Sequence, residues 1–291
     1  METIMSQNTN EKLINEIREK VRNIRNYKPK VGIFGVTGVG KSSLCNALFG
    51  KDIAQISDVA ACTRKPQEIF IGDEESGINI VDVPGVGETP DRDEEYFQLY
   101  KSLTAELDLV IWAIKSDDRA YSIALKAYNE ILRPVKEICP TVFVITQVDK
   151  IEPLFDWDKD TNQPGENKAA NINKKVMEVS AAFDISVKNI GFVSASQKYN
   201  LVEFMDKVVE ALPNEKKFAF TREANEEYVS QDATLKAELG ILAYIKDFCG
   251  EAYEAVKDTV IDLVASTATK VAKSVIKNGI QYGAKLLKFL F

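Results

Sequence analysis

Apolar residues recur along this chain at two spacings, one typical of helices and the other of buried strands. Between residues 11 and 27 they fall every three or four positions, which predicts a helix that begins after Asn10. Further along, almost wholly apolar runs alternate with longer amphipathic segments. The runs that predict strands lie at residues 31–34, 68–71, 78–81, 107–114, 141–146 and 190–193.

The segments between these runs complete an alternation of strand and helix. Helices are predicted at residues 43–49, 93–106, 121–138, 171–183 and 201–212. Continuous apolar strands between helices favour an α/β fold, with a mostly parallel sheet that helices cover on both faces. Loops that bind ligands gather at the carboxyl ends of such strands.

The pattern divides the chain into an N-terminal helix over residues 1–28, an α/β domain over 29–213 and a helical region over 214–291. Beyond Thr267 no acidic residue occurs, while lysines recur on one side of a predicted amphipathic helix. Two interpretations of this basic end remain open. Its apolar face packs against the rest of the protein, or it binds an anionic membrane or a protein partner.

Composition excludes several kinds of chemistry. The 291 residues include no histidine and four dispersed cysteines, which excludes imidazole acid–base catalysis and gives no cysteine-rich metal cluster. The formal net charge of −7 makes nucleic acid an unfavourable partner, although a ribosomal one stays open. No signal-peptide core or obvious membrane span is visible, so the expected location is the cytoplasm. The basic end leaves peripheral association with the inner face of the membrane open.

One glycine-rich turn carries the main chemical signal. Residues 35–42 read GVTGVGKS and fit G-x-x-x-x-G-K-[ST] between a predicted strand and a predicted helix. Backbone N–H groups of such a turn converge on an anion at the helix N-terminus, so a nucleoside triphosphate is the expected ligand. Lys41 is expected to reach the β- and γ-phosphates, and Ser42 to ligate Mg²⁺. The predicted nucleotide contacts here are Gly35, Thr37, Gly38, Val39, Gly40, Lys41, Ser42 and Ser43.

A second motif, Asp82-Val83-Pro84-Gly85, follows the strand predicted at residues 78–81. Asp82 suits a water-mediated contact with Mg²⁺. Gly85 has no side chain, so its backbone N–H can approach a γ-phosphate closely.

The order of the motifs along the chain resembles that of the Ras-like (TRAFAC) GTPases. The resemblance implies a G domain that binds GTP and GDP with Mg²⁺. It implies that Thr63 belongs to switch I and closes on Mg²⁺ and the γ-phosphate, and that residues 82–85 form switch II. The implied catalytic residues are Lys41, Thr63 and Gly85, and the implied Mg²⁺ ligands are Ser42, Thr63 and, through water, Asp82.

Residues 146–149 take the place of the family's N-K-x-D motif, which reads the base. Asp149 keeps the carboxylate, which accepts from the N1–H and 2-amino groups of guanine, whereas adenine offers no such edge. Gln147 replaces lysine but keeps an apolar stem that can lie over the base, and Thr146 replaces asparagine with a single hydroxyl. Guanine selectivity with reduced affinity is therefore expected.

Ser194 and Ala195 resemble the family's S-A loop, whose backbone N–H contacts the guanine carbonyl. Two alternatives to a guanine reader stay open. Asp149 only caps the turn that follows it, or the chain is an ATPase or a small-molecule kinase with the same phosphate loop.

Five segments together resemble a narrower group, the bacterial YfjP/YeeP-type GTPases, which are Era-like and similar in motif style to the immunity-related GTPases. The segments are GVTGVGKSSLCNALFG, SDVAACTR, VDVPGVGE, KSDDRA and TQVDK. The resemblance covers about residues 29–212 and implies hydrolysis of GTP to GDP and phosphate.

Two accelerating devices known from such GTPases are missing from the sequence. Val86 holds the position of the water-orienting glutamine, and Gly38 that of the asparagine of potassium-activated relatives. Slow turnover is expected, raised by a partner or by self-association as a homodimer through the nucleotide face. Four charged residues are candidate activators within the chain: Arg64, Lys65, Glu88 and Arg92. The alternative is that each is only a solvated residue of a switch loop.

Three biological roles fit these features. The first is a GTP-hydrolysing switch in which the C-terminal helices transmit the nucleotide state. The second is a membrane-associated or self-assembling protein whose association GTP controls. The third is an Era-like GTPase that associates with the ribosome or with RNA.

Overall fold

The computed structural model describes residues 2–50, 67–72, 77–87 and 89–267. The strands are β1 (Lys30–Gly35), β2 (Gln67–Gly72), β3 (Gly77–Asp82), β4 (Leu109–Lys115), β5 (Thr141–Thr146), β6 (Trp157–Asp158), β7 (Gln163–Pro164) and β8 (Ile190–Phe192). The helices are α1 (Glu2–Arg25), α2 (Lys41–Phe49), α3 (Pro90–Thr104), α4 (Ser122–Ala127), α5 (Glu166–Phe183), α6 (Leu201–Ala211), α7 (Asn214–Glu223), α8 (Gln231–Cys249) and α9 (Tyr253–Thr267).

Six strands form one sheet in the order β2-β3-β1-β4-β5-β8. Only β2 runs antiparallel to its neighbour, so the predicted mostly parallel α/β fold is confirmed. Strand β1 lies between β3 and β4, and the strand order reverses around it. Ligands of open α/β sheets bind at the carboxyl edge near such a reversal.

The central strands β1, β4 and β5 of the sheet are buried on both faces. On one face, large aromatic side chains interlock, with the rings of Phe34 and Tyr100 4.3 Å apart and Trp112 edge-on to both. On the other face, α2 and α6 cover the strands and contact each other. Adjacent residues of β1 point to opposite faces of the sheet, and Ile33 and Phe34 are both fully buried because helices lie on either side.

The described chain divides into two compact units. One contains the sheet and consists of residues 28–212 and 223–230, and the other is helical and consists of residues 2–27, 213–222 and 231–267. The N-terminal helix thus belongs to the same unit as α8 and α9, instead of standing as a separate part. The division into residues 1–28, 29–213 and 214–291 stays a prediction as a set of domains.

Arg25, the last residue of α1, contacts the other three helices that the structure describes in the helical unit, α7, α8 and α9. Its guanidinium donates to the Glu238 carboxylate of α8 at 2.9 Å and to the Val264 carbonyl of α9 at 3.4 Å. It also lies over the ring of Phe218 on α7, 4.4 Å from the ring centroid. Arg222 of α7 donates in turn to the Arg25 carbonyl. A paired charge therefore sits among apolar residues of this unit's core.

Three predicted helices differ from the structure. α1 begins at Glu2, so Asn10 lies within the helix and does not cap it. The helix predicted over residues 121–138 is α4 followed by a π-helical turn at Tyr128–Leu132 and a 3₁₀ turn at Arg133–Val135, where Pro134 removes a backbone donor. α5 begins at Glu166, well before residue 171, because the Asp156 carboxylate accepts from the backbone N–H of Lys168 and caps the first turn.

Several predictions fall on residues that the structure does not describe. They concern Thr63, Arg64, Lys65 and Glu88, and the basic amphipathic helix beyond Thr267. Among the helices that are described, none combines the length and the apolar character needed to cross a membrane.

The buried ion pair of the helical unit predicts a specific pattern of stability. Arg25→Met removes the ion pair of Glu238, whose side chain is only 2% exposed, and is expected to lower the free energy of unfolding by about 3–5 kcal/mol. The double variant Arg25→Met/Glu238→Leu is expected to recover most of that loss. Urea unfolding followed by far-ultraviolet circular dichroism measures both effects.

Arg18→Met is the matched control, since Arg18 is exposed on the same helix and bonds only to exposed Asn15 in the described structure. The interpretation of Arg25 is wrong if Arg25→Met costs no more than this control.

Candidate nucleotide-binding site

The phosphate loop joins β1 to α2 at the carboxyl edge of the sheet. Gly38 and Gly40 have φ angles of 82° and 87°, and Gly40 stands at the N-cap of α2 with no side chain bonded to the first turn. The first backbone N–H groups of α2 are therefore arranged as an anion site at a helix N-terminus. This is the geometry that the motif predicts for residues 35–43.

Lys41 folds back over this loop. Its ammonium group lies 3.4 Å from the Gly35 carbonyl oxygen and 3.3 Å from the Val36 carbonyl oxygen. These contacts hold the positive charge above the turn of backbone N–H groups. A phosphate bound by the turn would meet both the amides and the ammonium group.

The segment that follows β3 lies directly against the phosphate loop. Val86 pairs with Val36 as an isolated parallel bridge, and the Thr37 hydroxyl donates to the Gly85 carbonyl at 3.3 Å. A Cβ atom at position 85 would stand 2.4 Å from the Thr37 backbone nitrogen, so only glycine fits. The predicted switch II residue is thus brought to the phosphate loop by close backbone contact.

Tyr100 of α3 holds the same segment from the core side. Its hydroxyl donates to the Pro84 carbonyl at 2.6 Å. Burial, followed by the charge of Asp82, raises the pKa of Tyr100 above its ordinary value, so the hydroxyl stays a donor at any physiological pH. The aromatic core thereby fixes the position of Gly85.

Ser42 and Asp82 offer the oxygen ligands that Mg²⁺ prefers, a hydroxyl and a carboxylate. Asp82 ends β3, is 4% exposed and stands opposite Ile33 in the β1–β3 register. Burial, and then the charge of Asp82, raises the pKa of the Cys45 thiol to about 12. Because β1 and β3 run parallel and Ile33 comes two residues before Gly35, Asp82 lies at the same edge of the sheet as the start of the phosphate loop. These two residues fit the predicted Mg²⁺ site.

The predicted base-reading loop is tied to the phosphate loop by Thr146. The Thr146 hydroxyl lies 2.6 Å from the Val39 carbonyl and 3.3 Å from the Ile114 carbonyl. The single hydroxyl that replaces the family's asparagine is therefore directed to the backbone of the phosphate loop. Ser116, at the end of β4, donates to the Gln147 carbonyl at 2.8 Å and fixes the other side of the turn.

Gln147 and Asp149 occupy a tight turn after β5. Gln147 has a φ of 58°, and its side-chain amide lies 3.5 Å from the Gly38 carbonyl. The Asp149 Oδ1 atom is buried and has no hydrogen-bond partner among the residues that the structure describes. A buried carboxylate oxygen without a donor is costly, so a donor from a ligand would be strongly favoured there.

The loop after β8 lies beside this turn. The backbone N–H of Val148 donates to the Val193 carbonyl at 3.3 Å, which brings Ser194 and Ala195 next to the Asp149 loop. Ser194 is fully buried, and its hydroxyl accepts from the Gln197 backbone N–H at 3.2 Å. The structure thus gathers the predicted base-reading residues at the edge that holds the phosphate loop.

Sequence reasoning missed two residues that support these loops, Asn162 in the segment before α5 and Lys168 in the first turn of α5. Lys168 is fully buried, and its ammonium group donates to the Asp149 carbonyl at 2.5 Å. Asn162 donates to the Gln197 carbonyl at 2.8 Å. No motif marks these positions, and Lys168 is buried by contacts with residues eleven or more positions away in the sequence, among them Asp149, Leu154 and Trp157.

Comparisons with known proteins show which proteins this chain is similar to. The family model described as "50S ribosome-binding GTPase" matches residues 30–147. The chain is 39% identical over 200 residues to the uncharacterized protein YkfA of Escherichia coli (strain K12). The aligned stretch covers 68% of this chain and 67% of YkfA. It is 37% identical over 199 residues to YfjP of the same organism, with coverage of 68% and 67%.

Among the solved structures similar to this chain is Era in complex with MgGDPNP and nucleotides 1506–1542 of 16S ribosomal RNA. The TM-score is 0.50 and the identity 25%, over 64% of this chain and 57% of that one.

The Thr146 contact predicts a difference between two conservative variants. Thr146→Val keeps the shape but leaves the buried Val39 carbonyl without its donor, which is expected to cost about 1–3 kcal/mol of stability and to weaken nucleotide binding. Thr146→Ser keeps the hydroxyl and is expected to bind like the wild type. Urea unfolding and titration with a fluorescent guanine nucleotide measure the two effects. Equal losses in both variants would show that the hydroxyl does not hold the loop.

Proposed function

Because this chain belongs to the family of P-loop GTPases that includes YkfA and YfjP, we propose that it is a slow GTP-hydrolysing switch that a partner or self-association activates. Binding of GTP and its hydrolysis to GDP and phosphate are the activities of such a G domain. The family matches confirm the resemblance to P-loop GTPases that the order of the motifs indicated. The proposal concerns the mode of action, the ligands of the site and the partner.

The burial of Val86 is the observation that supports slow hydrolysis of GTP. This residue follows Gly85, where related GTPases place a water-orienting glutamine. Here the side chain is fully buried and its backbone pairs with Val36 of the phosphate loop. An apolar buried side chain offers an attacking water no hydrogen bond. Position 38, which holds an asparagine in potassium-activated relatives, is a glycine here, and a Cβ atom added to it would have no neighbour within 4 Å.

The remaining catalytic contribution is electrostatic. Phosphoryl transfer depends on alignment and on neutralising the charge that spreads over the γ-phosphoryl oxygens. Lys41 and the N–H groups at the start of α2 supply fixed positive charge and donors. Gly85 leaves room for its own backbone N–H to approach the γ-phosphate.

Mg²⁺ is proposed as the metal ion, held by Ser42 directly and by Asp82 through water. When bound, it neutralises charge on the β- and γ-phosphate oxygens. The complex of Era with MgGDPNP supports this assignment, as does the oxygen character of both residues. Thr63 lies outside the described residues, and its role as a third ligand and switch I residue stays a prediction.

Guanine recognition is assigned to Asp149. Its buried Oδ1, without a donor in the described part of the chain, suits the N1–H or 2-amino group of guanine. Gln147 is proposed to lay its stem over the base, and the backbone of Ser194 and Ala195 to contact the base carbonyl. The tether of Thr146 to Val39 keeps this reader in register with the phosphate loop.

We favour a second copy of this chain, or another protein, as the activating partner. The name of the matching family model and the Era complex with ribosomal RNA make a ribosomal partner the second candidate. The net charge of −7 is unfavourable for contact with a phosphate backbone. Membrane binding through the basic end beyond Thr267 stays a prediction, because that end lies outside the described residues.

Exchange of the carboxylate at position 149 tests the base reader. Asp149→Asn is expected to weaken GDP binding by about tenfold or more, because the carboxylate no longer accepts from guanine. The amide of the variant can donate to the C2 oxygen of xanthine, so XDP binding is expected to rise. Calorimetric titration of both proteins with GDP, XDP and ADP measures these changes.

The gain for XDP shows that the variant is folded and that only the preference has changed. Two results would contradict the assignment of Asp149. One is equal binding of ADP and GDP by the wild type, and the other is an Asp149→Asn variant that binds GDP and XDP with the affinities of the wild type.

The rate of hydrolysis per molecule tests the mode of action. Single-turnover hydrolysis by dilute protein is expected to be slow because Val86 cannot orient water. If a second copy is the activator, the rate per molecule rises with protein concentration. A fast rate that does not depend on concentration would contradict the proposal.

A further inference from the structure

A fully buried lysine supports the loop that carries the proposed base reader. The Lys168 ammonium group donates to the Asp149 carbonyl at 2.5 Å and to the Leu154 carbonyl at 3.4 Å. It also lies over the ring of Trp157, 5.6 Å from the ring centroid. An ammonium group is rarely buried unless its donors are used, so these contacts define its position.

The charges around Lys168 explain why burial is tolerated. Burial lowers the pKa of Lys168 below its ordinary value, while the charges of Asp149, Asp156 and Glu152 act in the opposite direction. An apolar side chain of equal length would avoid that burial cost. What the lysine adds is a directed hydrogen bond to the peptide group of Asp149.

Lys168 is itself held rigidly. It lies in the first turn of α5, where its backbone N–H donates to the Asp156 carboxylate at 2.8 Å. The Gly165 backbone N–H donates to the Asp156 carbonyl at 2.9 Å, and a Cβ at position 165 would lie 1.8 Å from the Asp156 carboxylate. Asn171 of α5 donates to the Glu152 carbonyl at 2.8 Å. Residues 152–168, hereafter the insertion, include the first turn of α5 and are tied to that helix through Glu152 and Asp156.

The insertion also reaches the second base-reading loop. Asn162 donates to the Gln197 carbonyl at 2.8 Å and accepts from the Trp157 indole at 3.2 Å. The ring of Trp157 meets that of Tyr199 edge-on, with centroids 5.0 Å apart. Tyr199 pairs through its backbone with Ser194. One segment therefore contacts the Asp149 loop through Lys168 and the Ser194–Tyr199 loop through Trp157 and Asn162.

We propose that the insertion sets the geometry of both base-reading loops, with Lys168 as the positioning residue for the Asp149 carboxylate. The proposal rests on the assignment of Asp149 as the guanine reader. Its consequence is specific to the base. A carboxylate that contacts both N1–H and the 2-amino group of guanine must be placed within a few tenths of an ångström, because hydrogen bonds weaken steeply with distance and angle.

Comparison of GDP with IDP isolates this effect, because hypoxanthine lacks only the 2-amino group of guanine. The wild type is expected to prefer GDP to IDP by about tenfold or more, as loss of a hydrogen bond to a carboxylate implies. In Lys168→Met the Asp149 peptide loses its donor, and the preference is expected to fall to about twofold. Calorimetric titration of the full chain with GDP, IDP and ADP gives the ratios.

Lys159→Met is the matched control, because it removes the same charge from an exposed position of the insertion. It is expected to keep the wild-type ratio. If Lys168 only stabilises the fold, Lys168→Met weakens GDP and IDP equally, and an unchanged ratio overturns the proposal. Equal binding of GDP and ADP by the wild type is a different result, which overturns the proposed function itself.

Lys168→Gln covers the case in which Lys168→Met does not fold, as judged by circular dichroism. Its amide can donate to one of the two carbonyls, so an intermediate GDP/IDP ratio is expected. A wild-type ratio in this variant also overturns the proposal. In the Asp149→Asn background, replacement of Lys168 is expected to leave the ratio unchanged, because its effect passes through the carboxylate.

Discussion

The burial of β1 between β3 and β4 is the constraint on which the site depends. Val31, Ile33 and Phe34 are fully buried, and each such side chain contributes roughly 1.5–3 kcal/mol to folding. The parallel register sets Ile33 opposite Asp82, and Gly35 opposite Ala113. Once the strand is fixed in this way, the loops that follow β1 and β3 must leave the sheet side by side. The contact between Thr37 and Gly85 follows from that register.

The base-reading side depends on the same edge through different chemistry. Its loops carry buried polar groups, and each needs a partner that lies far away in the sequence. Thr146 uses the Val39 carbonyl, and Lys168 uses the Asp149 carbonyl. Such contacts specify one geometry, because every alternative leaves a buried donor or acceptor unsatisfied. A loop that must discriminate between bases benefits from that rigidity more than from added apolar area.

The six strands of the main sheet and the phosphate loop were predictable because local patterns dictate them, whereas the short pair β6 and β7 was not predicted. The run at residues 141–146, apolar between its two terminal threonines, forms β5 with the predicted bounds, and the glycine motif demands its turn wherever a strand precedes it. The start of α5 was not predictable from local sequence. Its first turn is capped by the Asp156 carboxylate, which accepts from the backbone N–H of Lys168, twelve residues further along the chain. The use of the Thr146 hydroxyl was equally hidden, because its acceptor lies 107 residues away.

In the helical unit, the packing of α1 was predictable but its first residue was not. The apolar face of α1 predicted packing, and Ile17, Val21 and Ile24 are indeed buried in one core with residues of α8 and α9. The helix nevertheless starts at Glu2, well before the first apolar position of that face. Periodicity identifies which residues pack, whereas helix ends depend on capping and on contacts that a single sequence does not reveal.

The position of the base relative to Asp149 is the most direct test of this account. A crystal structure of the protein with GDP and Mg²⁺ should place Asp149 Oδ1 about 2.7–3.1 Å from a guanine nitrogen, with Lys168 still bonded to the Asp149 carbonyl. Density for the base with the carboxylate more than about 4 Å from every guanine nitrogen would contradict the account, because Asp149 would then not read the base.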